Sequence, residues 1–101
     1  MPVAMLMEFP EATGDEYDRV MSHMGGEGFQ PPEGAIAHIA VVMDDALRIL
    51  DVWETREDFE RFYETQLKDA LAAAEVTTDR EPKFREVHNV MTVERLPSPA
   101  A

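Results

Sequence analysis

"AHIAVVMDDALRILDVW", residues 37–53, is a pair of apolar runs divided by Asp44-Asp45. Two short apolar strands around so brief a polar break form an antiparallel hairpin. His38 stands near one end of the stretch, and Asp51, beside Trp53, near the other. An ionisable group buried among aliphatics is costly unless something pairs with it. A turn at Asp44-Asp45 sets His38 opposite Asp51 and Ile36 opposite Trp53. Directly opposed side chains have Cβ atoms roughly 5 Å apart, within reach of a carboxylate–imidazole hydrogen bond. Side chains alternate along a strand, so 36, 38, 40 and 42 share a face with 47, 49, 51 and 53. The other face carries Ala35, Ala37, Ile39, Val41, Leu50 and Val52. A slip by one residue would part His38 from Asp51, so the pairing is conditional on this register.

Outward from the hairpin, "VAMLMEF" (3–9), closed by Pro10, predicts a first strand. A helix follows: Thr13 and Glu16 have capping-box spacing, and Tyr17, Val20, Met21 and Met24 share one face. Gly25 and Gly26 end it, and "EGFQPPEG" is a loop by composition. After the hairpin, Thr55 and Asp58 start a second helix. Its buried stripe is Phe59, Phe62, Tyr63, Gln66, Leu67, Ala70, Leu71 and Ala74. "FREVHNVMTVERL" (84–96) predicts the last strand, within one domain spanning 1–96, and 97–101 is a disordered tail.

The order is β-α-β-β-α-β, an α+β, ferredoxin-like arrangement with a four-stranded antiparallel sheet. Both hairpin strands are apolar on both faces, whereas a sheet with one wet face alternates apolar and polar. Helices cover one face. An identical sheet from a second chain is the simplest cover for the other, which predicts a homodimer.

The net charge of -12 repels phosphate backbones and anionic headgroups, which argues against nucleic acid and membrane surfaces as partners. With no cysteine, disulfides and thiolate chemistry are excluded. No His or carboxylate set has metal-ligand spacing, so no metal is expected. The apolar run at the N-terminus is too short for a signal segment, and the expected location is cytoplasmic.

His38 held by Asp51 in an apolar cleft has one defined tautomer, the arrangement of a general base. Trp53 adds a flat wall suited to an aromatic small-molecule ligand. Tyr17, Met21, Phe59 and Tyr63 would line the helix side of such a cavity, and either His88 or Asn89 would point into it. The alternative is a His–Asp pair that satisfies itself in a small core.

The stretch "GAIAHIAVVMDDALRILDVWETREDFERFYETQL" (34–67) resembles the central block of the dimeric α+β barrel superfamily, which includes antibiotic biosynthesis monooxygenase-like proteins. The matching features are His38, Asp51-Val52-Trp53-Glu54-Thr55, Phe59 with Phe62, and "VHNV" at 87–90. The resemblance implies a ligand cavity between sheet and helices and a barrel completed by a partner's sheet. Activities in the superfamily range from cofactor-independent oxygenases on polyketide phenols to haem-degrading oxygenases, cyclases and isomerases, and the fold does not select among them. Haem-degrading members share a Trp matched by Trp53, but add an Asn in strand 1 and a His on helix 2. This chain has neither. The quinone-forming members place polar residues around a Trp, parts that Trp53, His38 and Asn89 could take. The expectation is a cofactor-independent oxidoreductase or isomerase/cyclase acting on an apolar aromatic or polyketide-like molecule, or else a non-catalytic binding dimer.

Overall fold

The computed structural model describes residues 1–93. Strand β1 (Val3–Pro10) leads to helix α1 (Gly14–Ser22), then β2 (Ala35–Val42) and β3 (Ala46–Trp53). Helices α2 (Arg56–Phe62) and α3 (Lys68–Ala74) follow, and β4 (Lys83–Glu86) closes the sheet. The sheet order is β2-β3-β1-β4 with every neighbouring pair antiparallel, the ferredoxin-like topology.

Local chemistry accounts for the helix starts. At α1 the Thr13 side chain accepts from the Glu16 backbone N–H, and the Glu16 carboxylate accepts from the Thr13 backbone N–H. This reciprocal cap satisfies two amides that would otherwise lack partners. At α2 the Thr55 Oγ1 accepts from the Asp58 N–H and donates to the Asp58 carboxylate.

Between α2 and α3 the chain makes a π-helical turn, Tyr63–Leu67, where the Lys68 N–H reaches back to the Tyr63 carbonyl. The sequence predicts one uninterrupted α-helix here, with Gln66 on the buried stripe. In an α-helix the residue beneath Phe62 is Gln66; the wider turn brings Leu67 there instead. Gln66 is exposed, Leu67 is half-buried, and the wall below Phe62 stays apolar.

The last strand is shorter than the predicted 84–96. β4 pairs with β1 only from Val3 to Leu6, and Val87 makes one more bond, to the Pro2 carbonyl. Because β1 begins at Val3, the chain beyond Val87 has no strand to pair with, so ladder formation stops there. Positions 94–96 of the predicted strand and the predicted tail 97–101 lie outside the described residues.

Met5, Met7 and Phe9 of β1, Leu47 and Trp53 of β3, and Val20, Phe59, Phe62, Ala70 and Ala74 of the helices form the core on the helix-covered face. Leu6, Ile39, Val41 and Leu50 occupy the opposite face of the sheet and are 38–50% exposed. Arg19 ties the helical layer together, donating from Nε and Nη2 to the Ala74 carbonyl at the end of α3. Among the described residues no helix is long and apolar enough to cross a membrane.

Candidate functional site

The β2–β3 hairpin turns at Asp44-Asp45, where the Met43 N–H donates to the Ala46 carbonyl. His38 pairs with Asp51 and Val42 with Leu47, the register read from the turn. Nearer the open end the register changes. Ala35, and not Ile36, lies opposite Trp53, because a bulge inserts one extra residue between Ala35 and Ala37.

A chain of hydrogen bonds runs through this hairpin and on to α1. The Trp53 indole Nε1–H donates to Asp51 Oδ2 at 3.2 Å. Asp51 Oδ1 lies 2.6 Å from His38 Nδ1. His38 Nε2 lies 2.6 Å from the Tyr17 hydroxyl, and the two rings stack with centroids 5.8 Å apart. A carboxylate only accepts, so Nδ1 carries a proton, and in the neutral ring Nε2 offers its lone pair to the Tyr17 O–H. Each donor in the chain thereby meets one acceptor.

The groups differ in their contact with water. Asp51 is 5% exposed and Trp53 2%, while the His38 side chain, on an edge strand, is 47% exposed. Burial raises the pKa of the Tyr17 phenol, and the Asp51 and then the Asp18 carboxylates push it the same way. Tyr17 is therefore a neutral phenol at physiological pH.

These residues edge a cavity of about 350 Å³ between the sheet and the helices. Its wall is otherwise apolar: Met5, Met7, Leu47 and Ile49 from the sheet; Met21, Phe62, Leu67 and Leu71 from the helices; Phe29, Pro31 and Pro32 from the loop before β2. Among the described residues no Lys or Arg lines it. A space of this kind takes a neutral, largely apolar molecule with one polar end directed at Tyr17 and His38.

Of the residues singled out in the sequence, His38, Asp51, Trp53, Tyr17 and Met21 are brought together at this cavity. Phe59 and Tyr63 are not. They face the β4 side of the helical layer and line a separate groove of about 570 Å³ with Arg56, Arg80 and Phe84. Phe59 instead supports Trp53 from behind, edge-on with ring centroids 5.7 Å apart. His88 and Asn89 follow the end of β4, are exposed, and line neither space. The alternation that would aim one of them inward needs a strand, and β4 has ended two residues earlier.

Sequence reasoning missed Phe29, Pro31 and Pro32, reading their segment only as a loop. One aromatic and two prolines in an otherwise polar linker were the available signal. The Tyr17–His38 bond had no such signal, since it joins residues far apart in the chain.

No family model matches the chain, and no curated protein matches it either. Solved structures do. A Chloroflexus aurantiacus protein provisionally assigned as an antibiotic biosynthesis monooxygenase superposes with a TM-score of 0.66 at 12% identity, over 93% of this chain and 100% of that one. SnoaB, a cofactor-independent oxygenase from Streptomyces nogalater, gives 0.59 at 12% identity, over 89% and 95%. This chain has the antibiotic biosynthesis monooxygenase-like fold. A conserved protein from Methanosarcina mazei Go1 shares it, at a TM-score of 0.57 and 12% identity over 84% of this chain and 89% of that one. At this level of identity the antibiotic biosynthesis monooxygenase-like resemblance is one of architecture, and activity has to be argued from the site.

Proposed function

We propose that this protein is a small enzyme acting without a bound cofactor on an apolar aromatic or polyketide-like molecule, with His38 as the base. One observation carries the reading: among the described residues, the sole polar cluster of an apolar cavity is built on a histidine oriented by a buried carboxylate. The anion left by proton removal either reacts with dioxygen or rearranges. Dioxygen is the co-reactant in the first case: one oxygen atom enters the substrate carbon, and the other leaves as water with the two hydrogens of that carbon. The fold shared with SnoaB, an oxygenase without cofactor, supports this branch by analogy only.

The probe is anthrone, a flat apolar tricycle with one carbonyl and an acidic methylene, incubated with the protein in air. Quinone formation is followed by absorbance, and binding by quenching of Trp53, the single tryptophan. His38→Ala should still quench and should lose turnover by about 10²-fold or more. Turnover that survives the substitution would remove the base.

A second reading is a non-catalytic binding protein, favoured by the fact that Tyr17 already satisfies the His38 lone pair. In that case the wild type would show no turnover, and His38→Ala would lower stability and leave probe binding unchanged.

We further propose that two copies associate through the exposed face bearing Leu6, Ile39, Val41 and Leu50. Four large aliphatics on one sheet face are a contiguous apolar surface of the kind that marks an interface.

A further inference from the structure

We propose that Tyr17, and not His38, is the group that touches the substrate, and that it relays the substrate's proton to the imidazole. This rests on the reading of His38 as a base and goes beyond it. The Nε2 lone pair, the only basic atom of the neutral ring, is occupied by the Tyr17 hydroxyl at 2.6 Å. A substrate in the cavity therefore finds that basic atom already bonded to the phenol oxygen. That oxygen uses its hydrogen toward His38 and keeps its own lone pairs free to accept. Tyr17 and His38 both lie on the cavity wall, so the accepting oxygen is within reach of a bound ligand.

The transfer balances without any further reactant. The substrate O–H or C–H bond breaks, its electron pair stays on the substrate, and its proton forms a new bond to Tyr17 Oη. The original phenol proton passes from Oη to His38 Nε2. Tyr17 is neutral before and after; the charges left are the substrate anion and an imidazolium whose Nδ1–H still donates to Asp51. The hydrogen bonds between substrate, Oη and Nε2 have reversed direction. Nε2–H now donates to Oη, and the phenol O–H points at the new anion. The same hydroxyl that accepts the proton thus stabilises the charge it creates, in a site where the described residues supply no Lys or Arg for that purpose. Burial and the nearby Asp51 carboxylate hold the phenol protonated, which suits a relay and excludes a standing phenolate.

The substrate class follows from the same arrangement. Among the described residues the cavity offers one neutral donor and no cation, so it takes a phenol or enol, or a ketone with an acidic α-hydrogen; a molecule carrying a carboxylate or phosphate finds no countercharge among them.

Two measurements test the relay. In ¹⁵N-labelled protein without ligand, Tyr17→Phe should move the His38 Nε2 resonance toward that of a free lone pair and leave Nδ1 protonated. An unmoved Nε2 resonance overturns the relay. The second uses 4-nitrophenol, whose phenolate is coloured, with Trp53 quenching as the measure of binding. Wild type should ionise the bound probe; Tyr17→Phe should bind it comparably and ionise it at least about tenfold less. Tyr63→Phe, the other tyrosine and outside the cavity, should behave as wild type. Ionisation lost in His38→Ala but kept in Tyr17→Phe overturns the relay and leaves His38 as a direct base. Absence of ionisation in the wild type overturns both.

Discussion

His38 and Asp51 face one another directly across the β2–β3 hairpin, Nδ1 2.6 Å from Oδ1, with the carboxylate buried and the imidazole half in water. The second Asp51 oxygen is held by the Trp53 indole N–H. The carboxylate therefore orients two rings at once, one as part of the core and one at the edge of the cavity.

Asp51→Asn leaves one oxygen for these two donors and turns an amide NH₂ toward the other. A buried donor without an acceptor costs about 1–3 kcal/mol, more where the lost partner is charged. Urea unfolding should show a loss of about 2–3 kcal/mol, larger than that of His38→Ala, whose ring is half-exposed. Equal losses would mean that the Trp53 bond contributes nothing.

The alkaline limb of stability should depend on Tyr17. Its folded pKa lies above the ordinary value of 10.0, through burial first and then through Asp51 and Asp18. A raised pKa means the folded state holds this proton more tightly than the unfolded chain does. The contribution is fully present below the unfolded pKa and is lost as pH rises through the folded one. Urea midpoints taken on either side of pH 10.0 should fall more steeply in wild type than in Tyr17→Phe.

The π-turn makes neighbouring residues unequal. Leu67→Ala removes part of the cavity wall and should cost about 1–3 kcal/mol, discounted from a fully buried leucine because Leu67 is half-buried. Gln66→Ala at an exposed position should stay within about 0.5 kcal/mol. The reverse order in urea unfolding would place Gln66 on the inner face.

Ile39→Lys combined with Leu50→Lys puts two cations on the exposed sheet face. Light scattering after size exclusion should report a wild-type dimer and a monomeric variant with an unchanged far-ultraviolet spectrum. A wild-type monomer would overturn the proposed association.

Gly34 has φ +87°, a region that L side chains rarely adopt, and a Cβ there would collide with the Asp58 carboxylate. Asp58 itself is anchored by Thr55 and Arg61, which hold its pKa below the ordinary carboxylate range. Gly34→Ala should therefore lower stability by about 1–3 kcal/mol in thermal or urea unfolding.

The sequence by itself determined the order of elements, the caps at Thr13 and Thr55, and the meeting of His38 with Asp51. Each of these is set by residues close in the chain: a capping pair three apart, or two strands joined by a two-residue turn, where the turn dictates the register. Tertiary structure decided the rest. The length of β4 depended on where β1 starts, which is why His88 and Asn89 fell outside the cavity. The inner face of the second helix depended on a π-turn that leaves Gln66 exposed and keeps Leu67 beneath Phe62, while Phe59 and Tyr63 line the groove on the β4 side. The bond from Tyr17 to His38 depended on how α1 docks on the sheet. Local spacing carries no information about contacts made between elements, because those are chosen by packing the whole core at once.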